Sequence, residues 1–551
     1  MPEEHLILCG GVSKSAKRGV KVHELQLGKE KDKGEIYLDI ETLTEKMVMD
    51  LPPVLHDLLQ VATYVYVADQ VVSRGGLVRF DYGDKWHRYL HFVIPIREYD
   101  VWTDPEVGAI LEDALSFGSG DTYTFDFVSQ EKDRYLQFLN FPSDAAPKYQ
   151  YDEVLLFSGG IDSFTGAVDE LVANKKRSVL VSHRSNYKLV RLQRILFDYL
   201  TITVRENADL LERGLQPVHV PVMINKKKEI TKETSQRTRS FLYASLGTIV
   251  ARIFGLNRVK FYENGVVSCN LSFDGQTLQA RSTRSTHPKL LYLLSKFVSE
   301  LTDSDFTFEN PYFAKTKTEV CLRLKELHHE PQIEQTRSCA KSNYVDQQKH
   351  CGTCSQCIDR RFATLASECQ KYDPEWGYAL DIFKDELTNT HDRAMAAGFV
   401  GFANQIEGMT DVGFVKKCGA ELHEIAPYVH TDSREVAIKA LYRLHKRHAV
   451  SVGRVMDKQI ADNSTDLRRA TLPKTCLTSM VANRQHLNAG RIRRTSSKSE
   501  KHAKGALNGD VDRLLKLHPK WTAPQIAEEI RNTTADAVRH TYAWKNRNKK
   551  P

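Results

Sequence analysis

The sequence has no apolar run long enough to span a bilayer, which needs roughly 18 residues. Its best candidate, residues 241–256, is interrupted by Ser245 and Arg252, so we interpret it as a buried helix. The N-terminus lacks the basic start and long apolar core of a secretory signal. Only ten cysteines occur in 551 residues, and such a content gives no disulfide framework. We therefore expect a cytoplasmic protein with no membrane partner.

What the chain does contain is enough apolar sequence for several cores. With 551 residues, of which 41% are hydrophobic and 27% charged, it should form a multidomain globular protein. The pattern predicts five regions: an α+β domain of unknown role over 1–148, an α/β domain over 149–372, a helical extension over 373–489, a basic linker over 490–509 and a small basic domain over 510–551.

The positive charge is concentrated at the C-terminal end. The net charge is +8, yet residues 432–551 carry 26 lysines and arginines against 11 acidic residues. Such a basic region favours an acidic partner, with nucleic acid the first candidate. A solvated basic surface is the alternative.

The N-terminal region mixes strands with a helix. Apolar residues recur at helical spacing over residues 53–71, and residues 86–96 alternate as a strand that could form a hairpin with residues 78–82. No catalytic constellation stands out there. Three side chains could serve a partner, although we interpret them as structural: Asp69, Arg74 and Trp102.

The second region alternates short apolar strands with amphipathic helices. Strands are predicted at residues 154–157, 178–182, 218–222 and 259–262. Strict alternation indicates a parallel sheet covered on both faces, with a ligand site at the carboxyl ends of its strands.

The first of these strands runs into Ser158-Gly159-Gly160 and then into a helix that begins near Asp162. Glycines let the backbone approach an anion, and the free amides and dipole of a helix start favour negative charge there. Ser158 and Ser163 add hydroxyl donors. Asp162 would repel phosphate by itself, so we expect it to bind a Mg²⁺ ion that bridges phosphates.

The segment from Ser158 to Ser163 resembles the SGGxDS signature of the PP-loop family. That resemblance implies a HUP-like nucleotide-binding domain that cleaves ATP between the α and β phosphates and adenylates a carboxylate or carbonyl oxygen.

Four cysteines are crowded into a short segment downstream. Cys339, Cys351, Cys354 and Cys357 have the spacing C-x11-C-x2-C-x2-C. Four thiolates can close the tetrahedral coordination of Zn²⁺ and leave no position open for water. The pattern favours a structural zinc ion, with an iron-sulfur cluster as the alternative.

A phosphate loop followed by this cysteine cluster resembles QueC, the 7-cyano-7-deazaguanine synthase family, over residues 154–362. The resemblance assigns Arg237 to catalysis and Arg239 to nucleotide binding, since both precede a core helix near the nucleotide. It also assigns to Lys317 the neutralisation of charge as pyrophosphate departs. With Asp162 and Ser163, these residues make up the expected catalytic set.

The chain departs from the QueC pattern in two loops. Ser182-His183-Arg184-Ser185 replaces the Tyr-Gly-Gln of the family, and we assign Ser182 to the nucleotide. The substrate loop with aspartate, cysteine and arginine is also missing. Asn264, Arg284 and His287 stand in its place as candidate substrate residues, and a polar loop without function is the alternative interpretation. Long chains of this kind resemble the QatC type of anti-phage operons.

The basic C-terminal domain has two helix-start signals, at Thr522 with Gln525 and at Thr533 with Asp536. Three short helices with a small apolar core would resemble a helix-turn-helix. DNA binding and protein docking remain equal alternatives, because the turn lacks the usual glycine.

These features predict an ATP-dependent ligase that uses Mg²⁺ and ATP to adenylate the carboxylate of a deazapurine, 7-carboxy-7-deazaguanine or a relative. Ammonia, or an amine of a partner protein encoded nearby, would then displace AMP. The alternatives are an ordinary queuosine-pathway synthase, a nucleotide-gated module that binds nucleic acid, and a sulfur-transferring tRNA enzyme with Cys269 and Cys321 as its candidate thiols.

Overall fold

The computed structural model describes residues 3–28, 35–40, 42–43, 47–48, 50–74, 87–130, 139–140, 150–184, 187–233, 236–271, 284–340, 350–429 and 431–483, and eight positions between 511 and 538. The chain divides into two compact units, residues 1–479 and residues 480–551. Over these described stretches, every helix is too short or too polar to cross a bilayer.

The strands, in chain order, are β1 (Glu3–Cys9), β2 (Lys21–Leu25), β3 (Leu27–Gly28), β4 (Ile36–Ile40), β5 (Arg88–Ile96), β6 (Thr122–Ser129), β7 (Leu139–Asn140), β8 (Glu153–Leu156), β9 (Ser178–Arg184), β10 (Val218–Lys226), β11 (Arg258–Lys260) and β12 (Thr307–Glu309).

The α-helices are α1 (Pro53–Val71), α2 (Tyr99–Trp102), α3 (Pro105–Ser119), α4 (Ile161–Val168), α5 (Tyr187–Glu206), α6 (Ala208–Glu212), α7 (Arg239–Ile253), α8 (Gly265–Cys269), α9 (Pro288–Thr302), α10 (Lys317–Glu326), α11 (Ser355–Ala366), α12 (Thr390–Glu407), α13 (Asp411–Ile425), α14 (Arg434–Asp462), α15 (Ser464–Arg469) and α16 (Leu477–Ala482).

The first sheet has the order β2-β1-β5-β6, and all its strand pairs are parallel. The sequence predicts an α+β domain here. Helices α1, α2 and α3 lie in the crossovers between strands, and parallel pairing requires such long connections. The proposed hairpin partner, residues 78–82, lies outside the described residues.

The second sheet has the order β12-β11-β8-β9-β10-β4-β3, with β7 beside β4. Strands β12 through β10 are parallel, and β4 runs antiparallel to β10. The chain moves outward from β8 to β10 and then returns to β11 on the other side of β8. Such a reversal opens a crevice at the carboxyl ends of the two central strands, here β8 and β11.

Both faces of the second sheet are buried. Val154 and Leu156 face a core shared with α1, α3, α7 and α9, whereas Leu155 and Phe157 face a core with α4, α5, α10 and α11. Continuous burial on both faces is typical of parallel sheets. The predicted α/β class with parallel sheets is therefore confirmed.

The N-terminal 148 residues share this architecture. Their strands β3, β4 and β7 belong to the second sheet, and their apolar side chains belong to the same core as those of α7 and α9. Asp69 and Arg74 lie in a buried ion network with Arg88 and Asp121, in which Arg88 Nη2 is 2.6 Å from Asp121 Oδ2. Trp102 is 1% exposed. These contacts agree with the structural interpretation of the three side chains.

Helices α12 to α16 lie within the predicted helical extension over 373–489, and α14 packs on α11 and α12. In the smaller unit, the backbone N–H of Thr522 donates to Gln525 Oε1 at 2.8 Å, which is the predicted helix-start contact. The Thr533 signal and the linker over 490–509 lie outside the described residues, and the helix-turn-helix stays a prediction.

Candidate active site

The segment predicted to be a phosphate loop joins β8 to α4 at the carboxyl end of the sheet. Gly159 has a φ of +84°, a conformation that side chains with a Cβ rarely adopt. Ser158 Oγ lies 3.0 Å from Ser163 Oγ, and the Ser163 hydroxyl donates to the Gly160 carbonyl at 3.2 Å. Gly160 is the N-cap of α4 and offers no side-chain cap, so the first amides of the helix can turn toward an anion.

Two glycines allow close packing around this loop. A Cβ on Gly159 would lie 2.5 Å from Leu192 Cδ2, and a Cβ on Gly166 would lie 2.2 Å from the Tyr262 ring. Helix α4 therefore packs directly against the end of β11, and that contact brings the residues after β11 next to the phosphate loop.

Asp162 is the centre of a buried polar cluster. Its Oδ2 accepts hydrogen bonds from Asn264 Nδ2 at 3.1 Å, from the Asn264 backbone N–H at 3.2 Å and from Lys317 Nζ at 3.1 Å. Burial opposes ionisation, but Lys317 and these hydrogen bonds hold the pKa of Asp162 below its usual value. The predicted residues Asp162, Lys317 and Asn264 are thus brought together from three separate elements.

Two further carboxylates, Glu263 and Asp359, surround Lys317. Lys317 Nζ lies 3.6 Å from Asp359 Oδ2 and 4.0 Å from Glu263 Oε1. Burial and the charge of Asp162 raise the pKa of Glu263 well above its usual range. Burial raises the pKa of Asp359 to about 6. The three carboxylates together raise the pKa of Lys317, although burial opposes that shift, so Lys317 remains an ammonium ion.

Lys317 is held in place by the start of its own helix. Thr316 and Glu319 form a capping box at the N-terminus of α10, which satisfies two backbone amides at once. Arg447 of α14 donates to Glu319 Oε1 at 2.6 Å and to the Ala314 carbonyl at 2.8 Å. The helical extension therefore stabilises the segment that carries the site lysine.

The segment before the first cysteine is bonded to the phosphate loop. The backbone N–H of Arg337 donates to the Gly159 carbonyl at 2.9 Å. Arg360, which is 1% exposed, donates from Nη1 to Thr336 Oγ1 at 2.8 Å. The cysteine segment thus packs directly on the backbone of the predicted phosphate loop.

The four cysteines predicted to bind metal lie together. Their sulfur atoms are all within 4.8 Å of one another, and Cys351 Sγ is 3.8 Å from Cys357 Sγ. Tetrahedral zinc with bonds of about 2.3 Å requires sulfurs about 3.8 Å apart. The backbone N–H of Cys354 also points at Cys351 Sγ, at 3.4 Å. Donor type, number and spacing therefore fit a structural zinc ion.

A tight turn carries the last three cysteines. Gly352 has a φ of +82°, and a Cβ there would lie 1.9 Å from the Leu380 carbonyl oxygen. Only glycine fits this position without displacement of the backbone. Helix α11 begins at Ser355 and directs Asp359, one half-turn after Cys357, toward Lys317.

Ser182 lies near the loop but is buried. Its hydroxyl donates to the Phe157 carbonyl at 2.6 Å, and His219 Nε2 lies 2.8 Å from the Ser182 hydroxyl oxygen. These bonds tie the end of β9 to the residue before Ser158. Ser182 positions the loop, and its predicted contact with the nucleotide stays a prediction.

The remaining predicted residues have contacts with the N-terminal region. Arg237 Nη1 donates to the Ser119 carbonyl at 3.0 Å, and burial lowers its pKa to about 10. Arg239 lies over the Tyr243 ring at 5.2 Å. Their assignments to catalysis and to the nucleotide are not tested by these contacts.

Arg284 and His287 pack on the same aromatic ring. The Arg284 guanidinium is 4.4 Å from the Phe117 centroid, and Arg284 Nη1 donates to the Phe117 carbonyl at 2.9 Å. His287 caps α9 through the Lys289 backbone N–H at 3.2 Å, and burial lowers its pKa to about 3. Both residues make structural contacts here, and their substrate role stays a prediction.

Sequence reasoning missed Glu263 and Asp359 as members of the site. Glu263 is the third residue after β11, and Asp359 is two residues beyond the last cysteine. The sequence does show that Glu263 follows a strand end and that Asp359 follows the CxxCxxC motif. These positions do not reveal that both side chains face the same lysine.

A sequence model of the family described as queuosine biosynthesis protein QueC matches residues 287–367. No curated protein matches the chain. The matched segment contains Lys317, Asp359 and all four cysteines, and it ends one residue after α11. The match supports the QueC-like part of the earlier resemblance and suggests an ATP-using enzyme.

Proposed function

We propose that this chain is a QueC-like ATP pyrophosphatase that adenylates the carboxylate of 7-carboxy-7-deazaguanine or a close relative. One observation carries the proposal: Asp162, Lys317 and the phosphate loop meet at the crevice between β8 and β11, where open parallel sheets bind ligands. The QueC match supports it, since that match includes Lys317 and the four cysteines.

In this proposal the amides of Gly159, Gly160 and the first turn of α4 hold the phosphates beyond the α phosphate. Ser158 and Ser163 donate hydroxyl hydrogen bonds. Asp162 would hold Mg²⁺, which neutralises phosphate charge when bound. The Asp162 carboxylate has an oxygen suited to bind this cation: Oδ1 is buried, and no donor among the described residues has hydrogen-bond geometry to it.

The reaction has two steps. A substrate carboxylate oxygen attacks the α phosphorus, and the bond from that phosphorus to the bridging oxygen breaks with release of pyrophosphate. Lys317 neutralises the charge that develops on the leaving oxygens. A nitrogen nucleophile then attacks the carbonyl carbon, AMP leaves with the former carboxylate oxygen, and the nitrogen loses a proton to give an amide.

If ammonia is the nucleophile, a second activation, now of the amide oxygen, would follow, and loss of that activated oxygen would give the nitrile of the synthase reaction. The long chain, with regions on both sides of the QueC-like part, favours a QatC-type defence role in which an amine of a partner protein is the nucleophile. Identification of the adduct by mass spectrometry, with ammonia or with a co-expressed partner, decides between these acceptors.

Pyrophosphate release tests the proposal. Full-length protein should release pyrophosphate from Mg·ATP when 7-carboxy-7-deazaguanine is added. Asp162→Asn should abolish this release. The zinc content and melting temperature of the variant should stay close to those of the wild type. Tight ATP binding without any substrate-dependent release would contradict an adenylating enzyme and would favour the nucleotide-gated binding module.

The sulfur-transfer alternative has less support in the described residues. It requires an accessible thiolate, yet Cys269 and Cys321 are both buried, with 2% and 0% exposure, and burial raises the pKa of each thiol. Buried neutral thiols are poor nucleophiles. Alanine substitution at both positions should therefore leave pyrophosphate release intact.

A further inference from the structure

The cluster around Lys317 has more carboxyl groups than one lysine can balance. One ammonium lies among three carboxyl groups, those of Asp162, Glu263 and Asp359. Burial and Asp162 raise the pKa of Glu263 well above its usual range, which favours its protonated form, so Asp162 and Asp359 share one ammonium. Lys317, Asp162 and Asp359 are 3%, 5% and 4% exposed. Buried carboxylates in such numbers require a proton, a cation or both.

Two carboxylate oxygens in this cluster are left without a well-formed hydrogen bond. Asp162 Oδ1 and Asp359 Oδ2 are both buried, and no donor among the described residues has good hydrogen-bond geometry to either oxygen, although Lys317 and Asn264 interact with the Asp359 carboxylate as a whole. For Asp359 Oδ2, the Lys317 ammonium at 3.6 Å is a neighbouring charge but is too distant for a good hydrogen bond. Orphaned buried oxygens of this kind point to a missing ligand.

We propose that Asp359 is a second carboxylate ligand, beside Asp162, for the divalent cation that accompanies ATP, and that Lys317 holds the place of this cation in the nucleotide-free protein. The proposal rests on the proposed use of Mg·ATP. When the cation enters, the Lys317 ammonium keeps its proton and moves from the carboxylates to the phosphate oxygens.

The type of donor supports a hard cation. Mg²⁺ and Mn²⁺ prefer carboxylate oxygens. In the parts of the chain that the structure describes, the four cysteines are the only group of three or more ligand residues that already lie close enough together to share an ion. The proposed site has two carboxylates instead, and Mg²⁺ with ATP commonly takes one or two carboxylates together with phosphate oxygens.

The cysteine cluster can also affect the proposed cation site, because Asp359 is close to the cysteines in sequence. Asp359 lies in the first turns of α11, two residues after Cys357. A zinc ion that fixes the start of α11 would also fix the direction of the Asp359 carboxylate. Zinc thereby positions a ligand of the second metal without any contact with ATP.

Manganese binding, followed by electron paramagnetic resonance, tests the assignment in full-length zinc-loaded protein with α,β-methylene-ATP present. Asp359→Asn should weaken Mn²⁺ binding at least about tenfold, as loss of a metal-site residue commonly does. The control Glu375→Gln removes an exposed carboxylate that pairs with Arg361 and should bind Mn²⁺ as the wild type does. Mn²⁺ affinity of Asp359→Asn within twofold of wild type would overturn the proposal.

A second measurement uses no nucleotide. Lys317→Met should raise Mn²⁺ affinity about tenfold or more, because the competing ammonium is gone, and Asp359→Asn in the same background should reverse that gain. No gain, or a gain that Asp359→Asn leaves unchanged, would overturn the exchange. If Lys317→Met does not fold, the Asp359→Asn measurement still decides. Failure of ATP-analogue binding in wild-type protein would instead refute the proposed function.

Discussion

Replacement of Gly159 by alanine tests whether the phosphate loop depends on a left-handed backbone at this position. The φ of Gly159 is +84°, and an added Cβ would lie 2.5 Å from Leu192 Cδ2 and 3.4 Å from Gln193 Cγ. The carbonyl of the same residue accepts the Arg337 amide, so a shift of Gly159 also disturbs the segment before Cys339.

The expected free-energy cost of Gly159→Ala has two parts. A residue with a Cβ in the left-handed region costs about 1–2 kcal/mol. The clash is with the far end of a leucine, which can rotate at a cost of about 1 kcal/mol. Their total, roughly 2–3 kcal/mol, is smaller than the stability of a typical domain. The protein should therefore fold, with the free loop relaxed away from the left-handed conformation. ATP binding must then restore that conformation at the same cost, so ATP affinity should fall by about 30-fold to 160-fold.

Calorimetric titration with Mg·ATP measures this loss, together with thermal unfolding and zinc content. Gly255→Ala is the matched control: its φ is +69°, and nothing lies within 4 Å of its added Cβ, so it should lower stability and leave ATP affinity unchanged. Leu192→Ala in the Gly159→Ala background should restore part of the affinity. Normal ATP binding by Gly159→Ala would refute the assigned loop.

Three further predictions concern the surroundings of the site. Arg447→Ala should lower pyrophosphate release by up to about fivefold, because an exposed ion pair contributes at most about 1 kcal/mol; Lys439→Ala on the same helix is the control, and equal rates would contradict the link to α10. Removal of zinc by a chelator should weaken ATP binding, since the cysteine segment bonds to Gly159, and unchanged affinity of metal-free protein would contradict that coupling. Stability should decrease below pH 6.5, because burial lowers the pKa of His183 to about 3. The unfolded chain then binds a proton that the folded chain does not, at about 1.4 kcal/mol per pH unit. His183→Asn should reduce the pH slope in urea unfolding by one proton, and an unchanged slope would contradict this account.

Much of the fold followed from local signals. The predicted helix over residues 53–71 is observed as Pro53–Val71, because proline at the start and regular apolar spacing are properties of the segment itself. The strand before the phosphate loop and the four-cysteine cluster were also predicted correctly. Thiols two residues apart can share an ion in many tertiary contexts.

Other features depend on contacts between distant segments. Strand β4, from the first 40 residues, pairs with β10, and no local pattern indicates that partner. Arg237, predicted beside the nucleotide, donates to the Ser119 carbonyl of α3. Its neighbours are set by the packing of the N-terminal region on α7, which sequence spacing does not encode.

The sequence by itself determined the chemistry that the chain can carry: glycines and hydroxyls after a buried strand, a capped helix with a lysine at its start, and four thiols at metal-binding spacing. These are short-range properties, because backbone conformation and capping act within a few residues. The tertiary structure decided which charges meet. Asp162, Glu263, Lys317 and Asp359 come from four separate segments, and burial in a medium of low dielectric constant turns their proximity into shifted pKa values and a demand for a cation.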